Sequence, residues 1–259
     1  MAELSSMIWI ETRKLSRSRV PLGTALGALC LSAGMAFLIF VARNPQIAQK
    51  LGLIGAKANL VAYANTDWAA YLGLIGLALA AGGFLLNLLV LAWIFGREFA
   101  DGTLKDLLAV PVQRGSILLA KLIVTAIWSA VLSLLILAVG VAMGAVIGLP
   151  GGSAAVIARG CGAVALVGLL TIVLTLPFAF FASVGRGYLL PVGVAMLTLL
   201  ITNLEALAGF GEYFPWAVPG LFAQGKTVLG PVSYVIVLVT GLIGVLATYV
   251  WWHYADQNR

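Results

Sequence analysis

The fold class that this sequence predicts is an all-α integral membrane protein of six transmembrane helices. It adds an amphipathic helix at the N-terminus and a short helix between spans 2 and 3. Three observations carry this. Of 259 residues, 62% are hydrophobic and 9% charged, with a mean hydropathy of +1.10, far from the roughly 45–50% apolar and about 25% charged of soluble domains. Runs of about 20 apolar residues recur, the length that crosses a hydrocarbon core of about 30 Å. The central parts of those runs contain no Asp, Glu, Lys, Arg or His, side chains that cost about 2.5–3.5 kcal/mol at mid-bilayer.

Residues 1–19, "MAELSSMIWIETRKLSRSR", put Leu4, Met7, Ile8 and Leu15 on one helical face and crowd Arg13, Lys14, Arg17 and Arg19 toward the end. That pattern predicts a helix lying in the headgroup plane, with the chain turning inward at Pro21. Residues 20–259 then read as a single six-span domain, with spans at about 20–42, 69–95, 117–148, 160–184, 188–208 and 232–253. A cleavable signal peptide is not expected, because the apolar stretch after Arg13 is too long and no A-x-A site closes it.

An even number of spans leaves both termini on one side. Arg13, Lys14, Arg17, Arg19, Arg97, Lys105, Arg114, Lys121, Arg186 and Arg259 fall on that side. Arg43, Lys50, Lys57, Arg159 and Lys226 fall on the other. Basic residues near span ends favour the cytoplasm, so both termini are expected inside. The net charge of +6 reports this bias and contact with anionic lipid rather than nucleic acid. Gly23 and Gly27, and Gly140, Gly144 and Gly148, set small residues four apart on spans 1 and 3, a spacing that lets helix backbones approach closely.

Seven of the charges gather in "FGREFADGTLKDLLAVPVQRGSILLAK", residues 95–121, on the cytoplasmic side. Within it Gly102 breaks the preceding structure, and Thr103 with Asp106 reads as a capping box. A short helix over 104–110 would present Leu104, Leu107 and Leu108 on one face until Pro111 stops it. Ser116 is the expected cap of span 3, and Lys121 is expected to snorkel to the interface. Two helical turns are not stable alone in water, so the Leu face must dock on the membrane surface or on another protein.

Arg97-Glu98, Gly102-Thr103, Leu107-Leu108, Pro111, Arg114 and Lys121 resemble the first cytoplasmic loop of ABC exporter permeases of the type-2 class. The resemblance extends to the amphipathic N-terminal helix and to the Pro/aromatic loop "YFPWAVPG" before the last span. It implies a permease of a bacterial-type cell (inner) membrane that pairs as a dimer, homodimer above all, with two copies of a separate ATPase subunit. The short helix would be the coupling helix seated in a groove of that subunit. Arg97, Glu98, Asp101, Lys105 and Arg114 would touch the ATPase or pin the loop to neighbouring spans. ATP and Mg²⁺ would be held by the partner, with no cofactor on this chain. The resemblance also makes Phe214, Pro215, Trp216 and Pro219, in a loop that partly re-enters the outer leaflet, an expected outer gate.

"GLFAQGKT", residues 220–227, matches the phosphate-binding pattern G-x-x-x-x-G-K-[ST] letter for letter. Such a loop needs a strand before it and a helix after it. Here Pro215 and Pro219 precede it and Pro231 follows, so nucleotide binding is assigned to another chain. Asn87, Asn203 and Glu205 are the polar candidates for a translocation path, with helix–helix hydrogen bonding as their alternative role. Pro177 is expected to kink span 4.

Cys30 and Cys161 lie far apart at apolar positions and read as buried small residues. His253, beside Trp251, Trp252 and Tyr254, reads as part of an aromatic belt. No catalytic or metal cluster can be assembled, so the chain is not expected to be an enzyme by itself. The sequence therefore predicts an ATP-driven exporter subunit for a hydrophobic or amphipathic substrate such as a drug, lipid or antimicrobial peptide. A secondary transporter or channel is the runner-up, and a non-transporting scaffold the third reading.

Overall fold

The structure, a computed structural model, describes residues 2–44, 46–47, 65–103, 112–225 and 229–254, and every regular element among them is helical. Helix α1 spans Ala2–Ser16 and α2 spans Val20–Arg43. The turn between them lies at Arg17–Arg19, not at Pro21, which sits in the first turn of α2. A missing N–H costs nothing there.

The second span is α3, Trp68–Ala78, a π-helical segment at Leu79–Gly83, and α4, Phe84–Ala100. Asp67 opens it as a cap, its Oδ1 accepting from the Ala70 N–H at 2.8 Å. Helix α5 spans Arg114–Ile147 and closes on Gly148, whose φ of 67° is the left-handed conformation glycine adopts without a Cβ penalty. Gln113 holds the N-cap position of α5, so Ser116 lies inside its first turn and is not the cap.

The fourth span is α6, Ala154–Thr175, then α7, Phe178–Val184, broken at Leu176–Pro177 as Pro177 predicts. Helix α8 is Leu189–Ala208. Two 3₁₀ turns, at Gly211–Tyr213 and Pro215–Ala217, lead to α9, Val218–Gln224, and the last helix is α10, Pro231–Tyr254.

Five stretches are long and apolar enough to cross a membrane: Val20–Arg43, Trp68–Ala100, Arg114–Ile147, Ala154–Val184 and Pro231–Tyr254. The expected span at 188–208 falls on α8, whose apolar run Leu189–Glu205 is shorter than the other five. The chain is thus an all-α membrane protein.

Helix α5 is the central post, with α1 and α2 packed along it, while α3 lies against α6 and α7 against α10. The Tyr71 hydroxyl donates to the Gly140 carbonyl at 3.0 Å and Lys121 Nζ to that of Ile94 at 2.9 Å, which fixes the antiparallel register of the second and third spans. Of the three glycines in the α5 series, Gly140 packs on Ile75 and Gly144 on Trp68 and Tyr71, whereas Gly148 serves as the cap.

The loop between α8 and α10 touches the break in the fourth span. Trp216, half-buried, donates from Nε1 to the Leu174 carbonyl at 3.2 Å beside Pro177, and its ring meets Phe178 edge-on at 6.0 Å.

Cys161 is half-buried and Cys30 exposed, so Cys30 is not the buried small residue expected. His253 stacks on Tyr249 at 5.9 Å and meets Tyr254 edge-on at 4.8 Å.

Candidate functional site

Where α1, α4 and α5 converge, four charged side chains close a ring of alternating sign. Glu11 and Lys14 come from one face of α1, Glu98 from the last turn of α4, and Lys121 from the second turn of α5. Around the ring, Lys14 Nζ lies 2.9 Å from Glu11 Oε1 and 2.9 Å from Glu98 Oε1. Lys121 Nζ lies 3.2 Å from Glu11 Oε2 and 2.6 Å from Glu98 Oε2. The last contact is the shortest ion pair of the ring.

The ring is electrically neutral and nearly dry. Lys121 is 0% exposed, Glu11 3% and Glu98 5%, leaving Lys14 as the partly wet member. A buried ammonium is tolerated only when its donors and charge are matched. Lys121 meets this condition, with two carboxylates and the Ile94 carbonyl around its three N–H groups. It therefore does not snorkel to the interface as expected; it points into the protein. Burial pulls the Lys14 pKa down, but Glu11 and Glu98 outweigh that and hold it above its ordinary value.

Among the charges of the 97–116 loop, Glu98 has both its oxygens paired within the chain. Arg114, at the other end, is also engaged within the chain. Its Nη1 donates to the Trp252 carbonyl at 3.4 Å, near the C-terminus of α10, where the helix dipole favours a cation. Trp252 in turn donates from Nε1 to Ser183 Oγ on α7 at 2.9 Å. The two stalks of the loop are thus tied to each other, to α1 and to α10.

Arg97 pairs with Asp101 at 3.1 Å and lies over the Trp93 ring at 4.9 Å, an exposed arrangement that contributes little to stability. Gly102, with φ of 69°, ends the α4 stalk as expected, and Thr103 follows in an exposed turn. Lys105, Leu107, Leu108 and Pro111, with the rest of the expected short helix, lie outside the described residues, as do Lys226 and Thr227. Gly220–Gln224, the first part of the phosphate-loop look-alike, is helical.

Asn87 is buried in α4, one turn after the π segment, and its Nδ2 has no hydrogen-bond partner among the described residues. Ser129 Oγ, at a similar depth on α5 by the register above, has none either. The helix–helix hydrogen bond offered as Asn87's alternative role is therefore not made through this amide nitrogen. Asn203, exposed on α8, donates to the Leu199 carbonyl at 2.8 Å, and Glu205 is half-buried two residues on. Trp216 packs against Phe214 at 5.6 Å, Pro219 is buried and Pro215 half-buried, so the expected gate residues cluster beside the Pro177 break.

Two features escaped sequence reasoning. Glu11 falls at the middle of the Met7–Glu11–Leu15 stripe, and an acid on an apolar face was the available signal that it had a buried partner. The π segment coincides with "LAAGG", where small residues let α3–α4 pack on Leu31 and Ile136 while a turn widens.

Asn87→Leu separates two roles for this side chain. A purely structural amide with an unmatched Nδ2 is expected to give a protein that melts at the same or a higher temperature and transports normally. A path-lining amide gives reduced transport instead; with Asn87 1% exposed and its Nδ2 unmatched, the first outcome is expected.

Residues 7–202 match the family described as ABC-2 family transporter protein, a stretch running from α1 into α8 and including the whole ring and loop. The chain is also 28% identical over 173 residues to the bacitracin transport permease protein BCRB of Bacillus licheniformis, covering 64% of this chain and 82% of that one. The buried ring and the charged loop thus stand on the scaffold of a transport permease, and the chain belongs to the ABC-2 transporter family.

Proposed function

We propose that this chain is the transmembrane subunit of an ATP-driven exporter, with the 97–116 loop receiving force from a separate ATPase. The observation that carries the reading is the family match across residues 7–202, which takes in that loop and both its anchored stalks. The chain homodimerises and binds two ATPase copies, which hold ATP and Mg²⁺. Helix α8 completes six spans, with Trp216 and its neighbours filling the space beyond its short apolar run. Both termini, α1 and the ring then face the cytoplasm, in keeping with the basic-residue bias.

The mechanism follows from the ties. The Leu104–Leu107–Leu108 face seats on the ATPase. Closure of the two ATPases pushes the loop, and the Glu98–Lys121 and Arg114–Trp252 contacts pass that push to α1, α4, α5 and α10 together. The Pro177 break and the Trp216 contact let the far half of the bundle respond separately. Nothing ionisable lies in the middle of the spans, which favours mechanical drive over a proton or sodium relay. The cargo is hydrophobic or amphipathic, and the relative named for bacitracin transport favours a peptide antibiotic within that class.

Vesicles containing this chain and its ATPase test the reading. Leu107→Asp with Leu108→Asp is expected to leave membrane insertion and basal ATP hydrolysis in place and to abolish ATP-dependent cargo movement. Transport at the parent rate by that variant, or by the permease without any ATPase, contradicts it.

A further inference from the structure

Two concavities meet on the outer wall of the bundle beside α1. One, of about 410 Å³, is polar and lined by Lys14, Arg17, Arg97, Asp101, Trp93 and Tyr188. The other, of about 480 Å³, is apolar and runs deeper along Gly23 of α2, Leu89 and Ala92 of α4 and Val192 of α8. Trp93 and Tyr188 line both, so the two adjoin. A charged mouth beside a greasy trough has the polarity of a lipid rather than of a free anion.

We propose that these adjoining concavities bind one anionic phospholipid from the leaflet on the α1 side. Its phosphate sits among Lys14, Arg17 and Arg97, and one acyl chain lies in the Gly23–Leu89–Val192 trough. The charge balance selects the headgroup. Lys14 belongs to the neutral ring, and Arg97 is matched by the Asp101 carboxylate, which also faces the pocket. The Arg17 guanidinium has no ion-pair partner among the described residues, which leaves one surplus positive charge for one phosphodiester. A zwitterionic headgroup would bring its own cation to that surplus. Trp93 at the join is the residue type that settles at headgroup level. Gly23 leaves the trough open, since no other side chain lies within 4 Å of where its Cβ would stand.

The proposal rests on the chain spanning a membrane, not on export or on an ATPase, so its test uses no nucleotide and no cargo. The full chain, stripped of lipid in a nonionic detergent, is titrated with dioleoyl-phosphatidylglycerol, dioleoyl-phosphatidylcholine and inorganic phosphate, and bound lipid is counted by native mass spectrometry. One phosphatidylglycerol is expected to bind in clear preference to phosphatidylcholine and to phosphate.

Arg17→Gln and Arg97→Gln are each expected to weaken that binding roughly fivefold, the effect of one basic residue near an anionic lipid. Gly23→Leu fills the trough and weakens it as well, while Arg159→Gln, at the far end of the bundle, leaves it unchanged. Equal binding of the two lipids, phosphate binding as tight as phosphatidylglycerol, or loss with only the arginine or only the glycine variant overturns the proposal. So does an Arg159→Gln effect as large as that of Arg17→Gln.

Discussion

Lys121→Met is expected to destabilise the protein by about 3–5 kcal/mol, the cost of removing one partner from a buried ion pair. The methionine stem fills nearly the same space, so the loss is electrostatic. Glu11 Oε2 and Glu98 Oε2 lose the ammonium that lies 3.2 and 2.6 Å away, and the Ile94 carbonyl loses its donor. Lys14 alone cannot neutralise two buried carboxylates. Thermal unfolding in detergent, followed by loss of the monodisperse elution peak, measures the effect. Glu98→Gln combined with Lys121→Met restores neutrality around Glu11 and Lys14, and the pair is expected to cost less than the sum of the single changes. Additive losses would mean that the ring is not an energetic unit.

Gly244→Ala is expected to cost about 1–3 kcal/mol through overpacking. A Cβ at Gly244 would land within the envelope of Pro177 Cα, Cβ and Cγ. Pro177 Cα is backbone at a helix break, so it cannot swing aside as a leucine tip can. One turn earlier, a Cβ at Gly241 would stand 3.1 Å from the Val173 carbonyl oxygen, so α10 has no alternative register to slide into. Gly162→Ala on α6, where nothing lies within 4 Å, is the matched control and is expected to leave the melting temperature unchanged or raise it.

What was legible in the sequence followed from elementary patterns. Long apolar runs marked the spans, Pro177 marked the break in the fourth, and Gly102 marked the end of the α4 stalk, because each acts locally on the backbone. Residue roles that depend on a distant element were not legible in the same way. Lys121 read as an interfacial lysine, since only the docking of α1 brings Glu11 to it across 110 positions of sequence. Glu98 read as touching a partner or pinning the loop, and its actual partners, Lys14 and Lys121, lie on distant elements. The aromatic loop read as an outer gate, and the carbonyl that Trp216 finds beside the Pro177 break belongs to another span and was not legible.

The proposed path of force, from the loop through the ring into the spans, is separable from the ring's contribution to folding. The direct measurement is cargo moved per ATP hydrolysed by the reconstituted complex carrying Glu98→Gln with Lys121→Met, in a preparation shown to melt as one species. Continued ATP hydrolysis with several-fold less cargo moved for each ATP is expected. A ratio equal to that of the parent complex would contradict it.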